Sequence, residues 1–219
     1  MDIGRPALAR LLPHPAAFAA VSGLLMLILT ACADHSQPGD IAQIEHMCSS
    51  CHGVNGYSTS PTFPRLAGQQ PDYLVNELKS FRDHSRAERD AHTYMWGMAL
   101  RLDDQSIVLL AAFYARQPPM AGAGGDENRM EAGRRLYRLG NPTTGGPACL
   151  SCHGERAEGA PARGDLPSTP RLVGQHRDYL ALQLKIFAAN ARANRTMHDN
   201  AVALSAEQID LLADYLSSQ

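Results

Sequence analysis

The chain has 219 residues, of which 44% are apolar and 19% are charged, and its formal net charge is −2. This composition is typical of a folded globular protein and excludes a disordered chain. The charge is too small and too evenly mixed for nucleic acid binding, which requires a basic stripe on the surface.

The first 31 residues are predicted to be an export signal. Arg5 and Arg10 precede an uncharged run from Ala16 to Ala31, which is the order of a signal peptide's n-region and h-region. The run is shorter than the roughly 20 apolar residues that span a membrane, so cleavage is favoured over a retained anchor. Loss of residues 1–31 removes Arg5, Arg10 and Asp2 and changes the net charge from −2 to about −3.

The signal ends at a cysteine. The sequence "LTAC", Leu29 to Cys32, resembles the lipobox of bacterial lipoproteins, in which the cysteine becomes the lipidated first residue of the mature chain. Ala31 and Ala33 also suit an ordinary signal peptidase. Both interpretations place the protein outside the cytoplasm. We predict a periplasmic protein that associates with the membrane through a lipidated Cys32.

The other four cysteines form two C-x-x-C-H motifs, "CSSCHG" and "CLSCHG". This spacing is the attachment signature of c-type haem: both thiols bond to the porphyrin, and the histidine becomes an axial ligand of the iron. The sequence therefore predicts two covalently attached haem c groups. The predicted attachment residues and proximal ligands are Cys48, Cys51 and His52 in the first motif and Cys149, Cys152 and His153 in the second.

Three other uses of these cysteines are disfavoured. A disulfide framework is common in exported proteins, but the histidine and glycine after both pairs have no part in one. A redox C-x-x-C requires a βαβ pattern, and no alternating strand pattern surrounds either motif. A zinc site requires a fourth ligand at regular spacing.

A long segment occurs twice in the chain. "PRLAGQQPDYLVNELKSF", 64–81, aligns without a gap with "PRLVGQHRDYLALQLKIF", 170–187, at an offset of 106 positions, whereas the haem motifs are 101 apart. The second half has therefore gained five residues between His153 and Pro167. A repeat of this length indicates two tandem domains. We predict a first domain over 32–117, a Pro/Gly-rich linker over 118–126 and a second domain over 127–219.

Each half carries the pattern of a small all-α bundle. The repeated segment places Tyr73, Leu74, Leu78 and Phe81 on one helical face, matched in the second half at 106 positions further on. A short helix around 41–47 precedes the first motif, and a helix over about 127–139 precedes the second. The last helices begin at Asp103 or Asp104 and at Ser205, where Gln208 completes capping-box spacing. Gly133 lowers helix propensity, which suggests a close approach of the final helix.

Alignment of the two halves selects one methionine in each as a candidate iron ligand. Met95 and Met197 both stand seven residues before the leucine that precedes the last helix. Thioether sulfur is a suitable sixth ligand for haem iron and raises its reduction potential. The alternative for any methionine is core packing. We expect packing for Met98, a solvated surface position for His92 and a wall position for Trp96. His198, adjacent to Met197, remains a rival ligand in the second domain.

Together, these motifs resemble tandem two-haem class I cytochromes c, in particular the cytochrome c-four group. The resemblance rests on the two C-x-x-C-H motifs, both "PRL-x-GQ-x-x-DYL" segments and the methionine before each last helix. It implies a pair of helical domains with neighbouring haems that pass single electrons in the periplasm. It also implies that the carbonyls of Pro64 and Pro170 accept a hydrogen bond from the proximal histidines. Arg65 and Arg171 are then either haem propionate partners or solvated surface residues.

We therefore expect an electron-transfer protein and not an enzyme. With a histidine on one side of each iron and a methionine on the other, no coordination position remains for a substrate. The expected partners are an electron donor and a terminal oxidase or other acceptor. A cytochrome subunit of a dehydrogenase complex would use the same residues and stays open as an alternative. A dihaem peroxidase would need one iron with an open or displaceable ligand, which the matched ligands disfavour.

Overall fold

The computed structural model describes residue 1 and residues 41–219, and it shows an all-α fold. The predicted export signal over 1–31 and the lipidation candidate Cys32 lie outside the described residues. Among residues 41–219, no helix is long and apolar enough to cross a membrane. The described helices are α1 Ile41–His52, α2 Pro71–Arg82, α3 Trp96–Ala99, α4 Asp104–Ala115, α5 Glu127–Leu139, α6 Leu150–His153, α7 Arg177–Ala188, α8 Arg195–Ala201 and α9 Ala206–Ser218.

The first half packs α1, α2 and α4 around one apolar cluster. Its centre is Ile107 and Leu110 on α4, which are fully buried against Leu74 on α2. Helix α4 begins where the sequence predicts, because the Asp103 side chain accepts the Ser106 N–H at 2.7 Å and so satisfies a free backbone donor. A π-helical turn, Ala91–Met95, leads into α3.

The second half repeats this arrangement around its own apolar cluster. Tyr137 on α5 is fully buried against Leu212 and Leu216 on α9. The predicted capping box at Ser205 and Gln208 is confirmed. The prediction for Gly133 is confirmed too: a Cβ there would meet the Leu211 carbonyl oxygen, and it would lie 2.7 Å from the Tyr215 Cβ. Helices α5 and α9 can therefore cross this closely only at a glycine.

The additional residues of the second half form a small hairpin-like loop. Isolated antiparallel bridges join Ala160 to Thr169 and Arg163 to Leu166. The Thr169 hydroxyl donates to the Cys152 carbonyl at 2.8 Å, which ties the loop to the second C-x-x-C-H motif. The insertion therefore lies next to one cysteine pair and has no counterpart beside the other.

One hydrogen-bonding pattern occurs twice where the two halves contact each other. The Gln69 side chain accepts the Arg171 N–H at 2.7 Å and donates to the Arg171 carbonyl at 3.0 Å. The Gln175 side chain makes the same two bonds to Arg65, at 2.8 and 2.9 Å. Because Gln69 and Gln175, like Arg65 and Arg171, are 106 positions apart, the contact is reciprocal and holds the two repeated segments face to face.

Candidate haem sites

The first C-x-x-C-H motif lies at the C-terminal end of α1. Cys48, Cys51 and His52 are i, i+3 and i+4 on this helix, so one helical surface presents both thiols and the imidazole. His52 is buried, and its Nδ1–H donates to the Pro64 carbonyl at 2.8 Å. A carbonyl oxygen can only accept, so Nδ1 carries the proton. The contact implied by the resemblance is therefore confirmed.

Burial keeps the His52 imidazole neutral. It lowers the pKa of His52, and the hydrogen bond to Pro64 only partly opposes that effect. With Nδ1 protonated and donating, Nε2 keeps its lone pair. An imidazole fixed in one tautomer and orientation by a second hydrogen bond is the usual form of a metal-ligating histidine.

The second motif has the same construction. Cys149 precedes α6, and Cys152 and His153 lie within it. His153 is buried, its Nδ1–H donates to the Pro170 carbonyl at 3.0 Å, and burial lowers its pKa in the same way. The histidine thus has the same tautomer in both candidate sites. Its acceptor in each site is a proline carbonyl, and the two prolines occupy equivalent positions of the repeated segment.

The four thiols are free, and each pair contains one that is half-buried and one that is exposed. Cys48 packs against the first apolar cluster and Cys149 against the second. Burial raises the pKa of both of these thiols. The described residues form no disulfide. Among them, no group of three or more His, Cys, Asp and Glu side chains gathers as a metal site.

The glycine after each histidine is required by the backbone. Gly53 and Gly154 have φ of +75° and +85°, values that a side chain strongly disfavours. A Cβ at Gly53 would also lie 2.5 Å from the Tyr57 carbonyl oxygen. The chain therefore turns sharply after each motif, toward the segment that carries the proline acceptor.

Met95 lies at the end of the π-helical turn and is half-buried against Phe81, Ala91 and Ala99. Its neighbour Tyr94 contacts Phe63 edge-on with ring centroids 5.3 Å apart. Phe63 in turn lies 6.2 Å from the His52 ring. A chain of aromatic contacts thus connects the Met95 segment to His52.

The other candidates in this segment have different environments. Trp96 is half-buried, donates its indole N–H to the Arg86 carbonyl at 2.8 Å and stacks on His84. His92 is exposed and touches the Trp96 ring edge-on. Met98 was expected to pack, but 42% of it is exposed. Met95, Trp96 and Ala99 form the inward face of this turn, and Met98 points about 100° away from that face.

In the second half, Met197 is half-buried in α8, and its N–H donates to the Asn194 side chain at 2.9 Å. The rival His198 has one ring nitrogen engaged, because Nδ1–H donates to the Phe187 carbonyl at 2.8 Å. That bond does for His198 what the Trp96 indole does in the first half: it fastens the ligand loop to the preceding helix region. With Nδ1 protonated, Nε2 of His198 keeps its lone pair, as it does in His52, so the prediction of Met197 as the ligand rests on its alignment with Met95.

The residues present fit a large group with carboxylate side chains. Arg171 is half-buried, and its Nε is a buried donor that finds no hydrogen-bond partner among the described residues. Buried donors normally have acceptors, so Arg171 Nε suits a carboxylate of a bound haem. Arg65 is engaged instead at the domain contact, where it donates to Gly174 and Ser58 carbonyls.

The sequence interpretation missed the residues that join the domains. Gln69 and Gln175 belong to the repeated "GQ", and Arg86 and Arg192 share the same offset of 106, yet all four are buried at the domain contact. The repeat itself was the available signal. A polar residue retained at equivalent positions in both halves indicates a shared contact, but only the structure shows that this contact lies between the halves.

Comparison with known proteins agrees with this geometry. The family model for cytochrome c matches residues 41–115 and 130–219, one segment for each C-x-x-C-H motif. The chain belongs to the cytochrome c family. Cytochrome c4 from Thiocapsa roseopersicina is 41% identical over 181 residues, which covers 80% of this chain and 88% of that protein. The solved structure of cytochrome c4 from Acidithiobacillus ferrooxidans has a TM-score of 0.71 at 36% identity and covers 78% of this chain and 98% of its own.

A third relative carries a functional name. The thiosulfate dehydrogenase electron acceptor of Thiomonas intermedia is 32% identical over 183 residues, 78% of each chain. These relationships establish a dihaem cytochrome c of two helical domains, an electron carrier related to cytochrome c4 and not an enzyme. Its cofactors are two covalently bound haem c groups.

Proposed function

We propose that this cytochrome c carries single electrons with one His/Met-ligated haem in each of its domains, 32–117 and 127–219, joined by the linker 118–126. The attachment residues are Cys48 and Cys51 for the first haem and Cys149 and Cys152 for the second. The axial ligands are His52 with Met95 and His153 with Met197. The observation that carries the proposal is the buried, neutral histidine held by a proline carbonyl in both halves.

Bound haem supplies the one-electron iron couple, and the protein's part is to hold and tune it. The Pro64 and Pro170 carbonyls fix the ring orientation of the two histidines and increase the basicity of Nε2. The reciprocal Gln69 and Gln175 contacts keep the two repeated segments, and hence the two proximal sites, in one fixed arrangement. A fixed arrangement suits electron exchange, because little has to move when the charge changes.

We further propose a periplasmic location with a lipidated N-terminus at Cys32, as the export signal and the "LTAC" sequence indicate. The expected acceptor is a terminal oxidase or a similar membrane complex, which a membrane-anchored carrier reaches by diffusion along the surface.

The two domains differ in charge, with about −3 for residues 32–125 and about 0 for residues 126–219. We propose that they meet different partners, since surface charge steers encounter. Stopped-flow reduction by the donor and oxidation by the acceptor, each measured over a range of salt concentrations, should have different salt dependences. Identical dependences would contradict the proposal.

A cytochrome subunit that serves a dehydrogenase is the second candidate, favoured by the relative named as a thiosulfate dehydrogenase electron acceptor. It uses the same haem sites and differs only in the partner. Co-purification of the native protein with a dehydrogenase at constant stoichiometry would favour it over a free carrier.

The optical spectrum tests the ligand assignment. We expect the oxidised protein to show the far-red sulfur-to-iron charge-transfer band with the intensity of two Met-ligated haems and no high-spin signal. A high-spin haem that binds cyanide or peroxide readily would contradict the proposal and would favour a dihaem peroxidase.

A further inference from the structure

Two buried arginines lie at the centre of the domain contact. Arg86 and Arg192 are 106 positions apart, and each guanidinium stacks on the phenylalanine of its own half. The distances from Cζ to the ring centroid are 4.5 Å for Phe81 and 4.7 Å for Phe187. Less than a tenth of either arginine side chain is exposed. Buried guanidinium groups need compensating charge, and the two arginines obtain it differently.

One carboxylate is shared between the arginines. Glu77 accepts from Arg86 Nη1 at 2.5 Å and from Arg192 Nη2 at 2.6 Å. At the equivalent position of the second half stands Gln183, a neutral side chain whose Oε1 also accepts from both arginines, at 3.3 and 2.6 Å. Because Glu77 contacts both guanidiniums, its charge lies between the two domains.

The second carboxylate serves the first domain alone. Glu88 is paired with Arg86 Nε at 2.6 Å, and only 2% of its side chain is exposed. Arg192 has no such partner: besides Glu77, its guanidinium bonds within 41–219 are to the neutral groups of Gln183 and Tyr73. The buried charge of Arg86 is therefore neutralised within its own domain, whereas that of Arg192 is offset only by the shared Glu77.

This asymmetry has a source in the sequence. Met95 follows Phe81 by 14 positions, whereas Met197 follows Phe187 by ten. Glu88 lies in this longer segment of the first half, between Arg86 and the π-helical turn that ends at Met95. The added residues thus place a buried carboxylate beside the arginine and have no equivalent in the second domain.

The charged cluster adjoins the ligand region of the first site. Arg86 stacks on Phe81, and Phe81 belongs to the same apolar cluster as Met95. The Arg86 carbonyl also accepts the indole N–H of Trp96, the residue after Met95. The Arg86–Glu88 pair is therefore connected to the Met95 segment in two ways, through the Phe81 ring and through the hydrogen bond from Trp96.

We propose that Glu88 sets the difference between the two reduction potentials by lowering that of the first haem relative to the second. A buried negative charge favours the oxidised, more positive state of a nearby redox centre, and an uncompensated positive charge favours the reduced state. Glu88 removes the effect of Arg86 from the first domain, while Arg192 retains part of its effect in the second. The first haem is then the better donor, so electrons pass from the first domain to the second.

The inference rests on the proposed function and is tested on the full-length holoprotein. Glu88→Gln keeps the shape and the hydrogen-bonding oxygen but removes the charge. Glu77→Gln removes the shared charge, and Asp83→Asn removes an exposed carboxylate of the first domain. Redox titration followed by the separately resolved haem methyl signals in NMR reports each potential independently.

We expect Glu88→Gln to raise the potential of the first haem selectively. The equilibrium constant for sharing one electron between the haems should change by about tenfold, which is 59 mV for a one-electron couple. Glu77→Gln should raise both potentials together and leave that constant within about twofold, and Asp83→Asn should change neither, because solvent screens it.

Equal shifts of both haems in Glu88→Gln, or no shift, would overturn the inference. If Glu88→Gln does not fold, Arg192→Gln provides the mirror test, since it should lower the potential of the second haem selectively; failure to do so would also overturn it. Absence of the methionine-ligated spectrum from the unaltered protein would instead reject the proposed function. Failure of the inference and failure of the proposed function are therefore distinguishable.

Discussion

Replacing Gln69 by alanine should weaken the domain contact by a predictable amount. The Gln69 side chain accepts the Arg171 N–H at 2.7 Å and the Gln70 N–H at 2.9 Å, and it donates to the Arg171 carbonyl at 3.0 Å. Gln69 is 7% exposed, so water does not readily replace these bonds. At about 1 kcal/mol for each of the three bonds, the variant should lose about 3 kcal/mol of free energy of unfolding.

Urea denaturation followed by far-UV circular dichroism measures this loss, and amide hydrogen exchange at Arg171 measures its local part. Gln175→Ala removes the reciprocal contact and should cost a similar amount. Gln117→Ala is the matched control, because Gln117 is a half-buried glutamine whose side chain bonds, among residues 41–219, only to the Phe113 carbonyl within its own helix region. A loss below about 0.5 kcal/mol in Gln69→Ala, comparable to that of a surface substitution, would refute the reasoning.

Two other predictions concern stability. Gly133→Ala should lower the free energy of unfolding by about 1–2 kcal/mol in thermal or urea denaturation, because the clash with α9 outweighs the gain in helix propensity. Gly97→Ala, with open space around the new Cβ, should raise it instead, and equal effects of the two would contradict the packing described. Burial raises the pKa of Glu77, but Arg192 and Arg86 outweigh burial and hold it below its usual value. Its contribution is therefore present above about pH 4.3 and lost as the pH falls through the lowered pKa. The unaltered protein should lose stability relative to Glu77→Gln in that acidic range, and parallel pH profiles would be inconsistent with an ionised Glu77.

Local features of the fold could be predicted from the sequence because they depend on neighbouring residues. The N-cap at Asp103 and the capping box at Ser205 and Gln208 follow from side chains three residues apart. The helix over Glu127–Leu139 follows from its periodicity. The acceptor role of Pro64 followed from the resemblance to a family, not from the residue pattern alone.

The domain contact could not be predicted, because helical periodicity shows which face of a helix is apolar and not which polar face meets another domain. Arg86 and Arg192 are buried there, although charged residues are rarely buried without partners. Their partners, Glu77 and Gln183, come from both halves of the chain. Met98 illustrates a related limit, because a short helical turn exposes one methionine and half-buries another only three positions away.

The central claim, that Met95 is the sixth ligand of the first haem, is tested most directly by the far-red sulfur-to-iron band in Met95→Ala and Met98→Ala. We predict that Met95→Ala loses the band of one haem and lowers the potential of that haem, because a thioether ligand stabilises the reduced iron. Met98→Ala should keep both bands. Retention of both bands in Met95→Ala, with the loss of one in Met98→Ala, would contradict the account and would show that the two halves were aligned one helical turn out of register.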